Sequence, residues 1–295
     1  MTPSIQLPNS VSLITGPGGM PHISVANRAA TARIALQGAH ILSYVPTGQQ
    51  DLIWVSEDAT FARGKSLRGG IPICWPWFGA HDTNPALPSH GHARTSDWKL
   101  IKAEDISADT THLLFELIDT THSRSFWDCA TKVQYSVTVG KELSLTLETT
   151  TLGSSEVTIG AALHTYFRIG DIGRTTVNGL DACDYLDKTE GFARKQQHGL
   201  VRFSSEVDRI YLDTGNRCEI RDPVLKRRVI IQSKGSHSTV VWNPGKEVAA
   251  KMGDLGPDGY RQMVCVETAN ASEYTVTLSP GVAHRLSASY RIADY

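Results

Sequence analysis

Between Ser66 and Arg94 the chain reads "SLRGGIPICWPWFG" and, after a short gap, "PSHGHAR". Two arginines, two histidines and three aromatics are crowded into backbone that Gly and Pro keep out of any regular strand or helix. Arginine and histidine are poor core residues, so a ligand is the expected reason for collecting them. The Arg68 and Arg94 guanidinium forks could grip a phosphate dianion through paired, charge-assisted hydrogen bonds. Each could instead pair with a surface carboxylate. Trp75, Trp77, Phe78 and Trp98 could fill the core or present faces to a sugar.

Two further residues could move protons. In "EVTIGAALHTYFRIG", strand alternation puts Ile159, Ala161 and Leu163 on one face, and His164 on the other with Ala162 and Tyr166. An imidazole there is either structural or a general acid able to hold either charge state near neutrality. Glu267 interrupts the apolar run "MVCVETAN"; it is either half-exposed on a solvated face or a base lining a cleft. His90 and His92 have the H-x-H spacing of some metal sites, but no third ligand is apparent and no H-E-x-x-H or Cys/His cluster exists, so no metal is expected. No G-x-S-x-G elbow, Walker loop or strand-borne G-x-G-x-x-G occurs, which removes the grounds for a serine hydrolase, a P-loop enzyme or a dinucleotide-dependent dehydrogenase. No cofactor is expected.

The elements that must position these residues are strands. In "KVQYSVTVGKELSLTLETT", Val133, Tyr135, Val137 and Val139 share a face. Leu143, Leu145 and Leu147 share another beyond a Gly140-Lys141 turn, which predicts a hairpin. The same alternation predicts strands at Leu113 to Leu117, Val157 to Ala161, Val229 to Ile231 with Thr239 to Trp242, Val264 to Val266, and Tyr274 to Leu278 with Leu286 to Tyr290. One helix is expected, Gly245 to Leu255, after the Asn243-Pro244 turn. With no linker, repeat or low-complexity tract, residues 1–295 read as a single all-β domain of large packed antiparallel sheets. Phe61 to Asp97 is then a long excursion between strands, a length that usually serves function.

Composition sets the outer bounds. A chain of 295 residues with 40% hydrophobic and 20% charged residues can bury a large core, and a net charge of −1 provides no field for nucleic acid. An anionic partner would need a local basic pocket. No apolar run approaches the ~20 residues that span a bilayer, and "MTPSIQLPNSVSL" lacks a signal-peptide pattern, so no membrane association and a cytoplasmic location are expected. Cys74, Cys129, Cys183, Cys218 and Cys265 are scattered and odd in number, as buried free thiols would be. No coiled-coil pattern or exposed amphipathic helix argues for assembly, and a monomer is expected.

Six segments, "RGGIPICWPWFG", "LPSHGHAR", "GAALHTYFRIG", "VDRIYLD", "VVWNPG" and "VCVETAN", resemble in order and approximate spacing the aldose 1-epimerase superfamily. More narrowly they are similar to its hexose-6-phosphate mutarotase branch, the glucose-6-phosphate 1-epimerases, over nearly the whole chain. The resemblance implies a β-supersandwich like that of galactose mutarotase. It implies a catalytic pair at His164 and Glu267, and substrate contacts from Arg68, Ser89, His90, Arg94 and Asp208. Two positions depart from the pattern: Ser89 stands where Gln is usual, and His92 where Phe is usual, which touches sugar selectivity rather than reaction type. The implied chemistry is anomer exchange. Glu267 takes the C1 hydroxyl proton, His164 protonates the ring oxygen, and the roles reverse on closure. Arg68 and Arg94 would hold a 6-phosphate, with Asp208 and His90 on ring hydroxyls. Mutual attraction should keep Glu267 ionised and His164 protonated over a widened pH range. Alternatives are a mutarotase of neutral sugars, a non-catalytic sugar-phosphate binder, and a glycosidase using Asp208 and Glu267 as its two carboxylates.

Overall fold

The computed structural model describes residues 5–295. Two large antiparallel sheets face each other. One runs Ala193–Gln196, Asp184–Asp187, Val207–Leu212, Ser238–Asn243, Met263–Asn270, Ala161–Leu163, Ile73–Cys74, with Tyr166–Arg168 also paired to Met263–Asn270. The other runs Thr176–Asn178, Arg217–Asp222, Arg227–Lys234, Ala283–Asp294, Leu143–Thr151, Thr131–Val139, Thr110–Leu117, Trp98–Ser107. A four-stranded meander over Val11–Thr15, Pro21–Ala26, Ala30–Ala35 and His40–Pro46 and a two-stranded ribbon of Val157–Ile159 with Val276–Leu278 complete the all-β architecture.

Alternation along the strands explains how the sheets pack. In Met263–Asn270, Val264 and Val266 join the main apolar core shared with Leu163, Tyr211 and Val241, while Cys265 and Glu267 take the opposite face. That outer face carries two smaller apolar clusters: one around Cys74, Ala162, Ile210 and Val240, the other around Trp54, Tyr166, Leu255 and Cys265. Polar residues on this face are therefore flanked by burial on both sides.

The hairpin of Thr131–Val139 with Leu143–Thr151 forms in the register that the alternation predicts, Val137 opposite Leu145. Several expectations need correction. The stretch from Val157 to Ala161 is two strands, because the chain changes sheets at Gly160. Arg227–Lys234 and Ser238–Asn243 are both strands but lie in different sheets, as do Val276–Leu278 and Ala283–Asp294; a short connector can cross from one layer to the other instead of closing a hairpin. The helix ends early, spanning Gly245–Ala249, after which Lys251, Met252 and Leu255 bond three residues back as Gly253 and Gly256 loosen the chain. A second short helix, Thr121–Phe126, starts on a reciprocal cap: Thr120 Oγ1 accepts from Ser123 N and Ser123 Oγ accepts from Thr120 N. The excursion from Phe61 to Asp97 contains the edge strand Ile73–Cys74 and a 3-10 turn at Ala93–Thr95.

All five cysteines are unpaired; Cys74, Cys218 and Cys265 are buried, and Cys129 and Cys183 are partly so. Trp75 and Trp98 are core residues. Among the described residues, no helix is long and apolar enough to cross a membrane.

Candidate active site

A cavity of about 240 Å³ opens on the outer face of the first sheet, lined by Arg68, Phe78, His90, Arg94, His164, Tyr166, Lys188, Asp208, Val240, Trp242 and Glu267. Six of the seven expected site residues, Arg68, His90, Arg94, His164, Asp208 and Glu267, therefore share one wall system, and Ser89 does not. The sheet explains three of them. Asp208 lies opposite Trp242, Trp242 opposite Cys265, and Val240 opposite Glu267, so these outward positions form adjoining rows. His164 sits just past Ala161–Leu163, its backbone N–H bonded to Pro72 O.

Close approach of glycine backbone places the arginines. At Gly69 (φ +108) a Cβ would stand 2.5 Å from the Val55 Cα, so this segment can press against its neighbour only without a side chain. At Gly91 (φ +71) a Cβ would be 1.9 Å from Trp75 O, the same carbonyl that accepts from His92 N at 3.0 Å. The two motifs that opened the sequence are thus stapled side by side. Arg68 donates Nε to Asp254 Oδ1 at 3.1 Å and a terminal nitrogen to the Tyr166 hydroxyl at 3.1 Å. Arg94 donates to Ser89 O at 2.7 Å. Arg68 therefore does pair with a carboxylate, yet remains on the cavity wall.

His164 Nε2 lies 3.4 Å from Glu267 Oε1. The imidazole stacks on Tyr166, ring centres 4.9 Å apart and planes 9° from parallel, with Trp242 edge-on at 6.1 Å. Glu267 is 1% exposed, so the solvated-face alternative is removed. Its Oε2 and the His164 Nδ1 are buried without partners. The separation would suit an ion pair, but burial acts the other way on both groups. It pushes Glu267 well above the usual carboxylate range, with Asp208 adding to the rise and Lys188 and Arg94 opposing it. It pushes His164 well below the usual imidazole range, helped by His90, Arg94 and Arg68. The expected widening of the charged window is thus corrected: burial disfavours the charged form of each group, against their mutual attraction.

His90 edges His164 at 5.7 Å and Phe78 at 4.8 Å. Its Nδ1 accepts from Gly79 N at 3.3 Å, and burial lowers its pKa to about 3. The neutral ring then carries its proton on Nε2, a donor suited to a sugar oxygen. Asp208 Oδ2 accepts from Lys188 Nζ at 2.6 Å, leaving Oδ1 buried and unpartnered.

Two of the marked residues lie elsewhere. Ser89 is exposed and lines a neighbouring chamber of about 740 Å³ that shares Phe78, His90 and Lys188 with the smaller cavity. Its contribution near the site is the carbonyl that receives Arg94. His92 is buried against Trp75 and Phe126 with Nδ1 3.1 Å from Ser96 Oγ, and points away. His90 and His92 thus face different cavities and share no metal geometry. A different donor set, His164, Cys265 and Glu267, has atoms within 4.8 Å of one another. Burial pushes the Cys265 thiol well up, so a cation there would first have to displace its proton.

Sequence reasoning missed Lys188, and gave Trp242 no role although it sits in the quoted "VVWNPG". Lys188 follows Asp187 at the end of a strand, and its partner is 20 residues away, so nothing local marks it.

Comparison with known proteins matches residues 21–291 to the family profile described as "Aldose 1-epimerase". A protein of Escherichia coli K12 named "Putative glucose-6-phosphate 1-epimerase" is 38% identical over 263 residues, covering 89% of this chain and 87% of that one. The crystal structure of a "putative mutarotase (YeaD)" from Salmonella typhimurium superposes with a TM-score of 0.92 at 32% identity, covering 99% and 96% of the two chains. A galactose mutarotase-like protein from Lactobacillus casei shares the fold, with a TM-score of 0.71 at 14% identity over 92% of this chain and all of that one.

Proposed function

The chain belongs to the aldose 1-epimerase family, and from that premise we propose that it interconverts the α and β anomers of a hexose 6-phosphate, glucose 6-phosphate foremost. The observation that carries this reading is the meeting, in one small cavity, of the His164–Glu267 pair, 3.4 Å apart, with the Arg68 and Arg94 guanidinium groups. We take residues 1–295 as one unit for this activity, working without a cofactor and as a monomer.

Anomer exchange needs only proton transfers. The Glu267 carboxylate removes the proton of the C1 hydroxyl, the C1–O5 bond breaks, and O5 takes a proton from His164. The resulting aldehyde turns about C1–C2, and O5 re-adds to its other face as His164 recovers its proton and Glu267 returns the other. The working arrangement needs the charged form of both groups, which burial disfavours, so a bound sugar must favour movement of a proton from Glu267 to His164, which lie 3.4 Å apart. A phosphate dianion on Arg68 and Arg94 assists that move, because those two charges help hold His164 in its neutral form. His90 and Asp208 Oδ1 are free to bond ring hydroxyls, which holds the sugar while its C1 end changes.

A second reading, a mutarotase of unphosphorylated aldoses, draws support from the Asp254 partner that already neutralises Arg68. Anomer exchange followed by NMR saturation transfer separates the two. Under the first reading, glucose 6-phosphate exchanges fast, glucose and galactose do not, and Arg94→Ala erases the preference. Equal exchange of phosphorylated and free sugars removes the phosphate clamp and keeps the chemistry. Absence of exchange with every sugar overturns the catalytic reading.

A further inference from the structure

Lys188 is the one lysine on the wall of the reaction cavity, and it also lines the larger chamber beside it. It opens the 3-10 turn Lys188–Glu190, fixed by the buried Asp187: Asp187 Oδ1 accepts from Thr189 N at 3.2 Å and from the Thr189 hydroxyl at 2.6 Å. From this anchored base the side chain crosses to the neighbouring strand Val207–Leu212 and donates to Asp208 Oδ2 at 2.6 Å. Both side chains are mostly shielded, 26% and 18% exposed, so the pair is not an ordinary surface contact.

The consequence lies in which oxygen is taken. With Oδ2 occupied by Lys188, Oδ1 is left buried, unpartnered and beside the cavity. A buried acceptor without a donor is costly unless a ligand completes it. We propose that Lys188 is a positioning residue of the anomer-exchange site: by occupying one Asp208 oxygen it aims the other at a sugar hydroxyl, and it places a positive charge beside two carboxylates that share one cavity. It does not touch the reacting atoms. This inference rests on the functional reading above.

Electrostatics agree. Glu267 is faced by Asp208 from Val207–Leu212, Lys188 from its turn, Arg94 from the loop, His164 and Tyr166 from the adjoining strand ends, and the Cys74 and Cys265 thiols. Asp208 makes ionisation of Glu267 harder and Lys188 makes it easier. Without Lys188, two carboxylates would stand in the cavity with Arg94 as the remaining counter-charge on Glu267, and Glu267 would be harder still to ionise.

The test compares Lys188→Met, which keeps the stem and loses the charge, with Lys188→Arg, which keeps the charge, on whichever aldose the parent exchanges. Lys188→Met should lose roughly 10- to 100-fold in kcat/KM, the range seen when a group that orients a working residue is removed. Most of the loss should appear in KM, because the hydroxyl contact persists from ground state to transition state. The alkaline limb of the pH profile, where the His164–Glu267 pair gives up its last proton, should move to higher pH. Lys188→Arg should restore both. In an Asp208→Asn background, Lys188→Met should cost little more, since the two act as a unit. A merely structural lysine would lower activity without moving the limb, and its effect would add to that of Asp208→Asn; either result overturns the inference. So does a Lys188→Met protein that matches an active parent. A parent that exchanges no anomer overturns the functional reading and this inference with it.

Discussion

The proposed chemistry rests on two residues whose charges are suppressed rather than promoted by their surroundings. Glu267 is fully enclosed, and its carboxyl is driven toward the protonated form by burial and by Asp208, while His164 is driven toward the neutral imidazole. Under the proposed mechanism, a bound sugar must overcome that suppression in both groups. Glu267→Gln preserves shape and hydrogen-bonding capacity but removes the titrating oxygen. Turnover should fall by ~10²–10⁴-fold. Thermal unfolding should show no loss of stability, because a carboxyl that burial disfavours when ionised is replaced by a neutral amide. Saturation transfer and a melting curve on the same protein check both halves; undiminished turnover removes Glu267 from the mechanism.

At the scale of elements, the site is made by outward positions of one sheet and by two loop motifs clamped across Trp75. Gly91 is the clamp, with positive φ and no room for a Cβ next to Trp75 O. Gly91→Ala should destabilise the protein by about 1–3 kcal/mol from the left-handed backbone alone, with the carbonyl clash adding to this. It should also displace Arg94 and raise KM. Gly199→Ala is the control: its φ is +66 but nothing lies within 4 Å, so only the backbone cost applies. Urea unfolding of the two variants should rank Gly91→Ala as clearly the less stable. The same elements show what the sequence could and could not disclose. Period-two alternation located most strands and put His164 on the face opposite Ile159, Ala161 and Leu163, because side-chain direction in a strand is a local property; it left the surroundings of Glu267 open. It did not disclose that Arg227–Lys234 and Ser238–Asn243 part into different sheets, since pairing is decided by distant strands. Lys188 and the Asp254 partner of Arg68 were hidden for the same reason, the latter being 186 residues from the arginine it holds. The short helix at Thr121–Phe126 did leave a mark, the Thr-x-x-Ser cap, too brief to outweigh the strand signals around it.

Across the whole molecule, the price of enclosing this site is a set of histidines that must remain uncharged. His40, bonded through Nε2 to Gly69 O beneath the Arg68 motif, and His92, packed behind Trp75, are both held at about 4 by burial. The unfolded chain binds protons on them near the ordinary ~6.5 while the folded chain does not. Their contribution to stability is therefore complete above about pH 6.5 and is lost as pH falls toward 4. At pH 5 each costs roughly 2 kcal/mol. Urea midpoints should fall between pH 7 and pH 5, and His92→Phe should lessen that fall; a midpoint independent of pH across this range would show that these rings do not govern acid stability. The strand order has a different consequence. Ala283–Asp294, the last strand in chain order among those described, lies inside its sheet between Arg227–Lys234 and Leu143–Thr151, and Met263–Asn270 lies likewise inside the other. A growing polypeptide would therefore hold two unfilled gaps until Met263–Asn270 and Ala283–Asp294 have been made. The strands made earlier wait, with their edges open, for these two to fill the sheets between them.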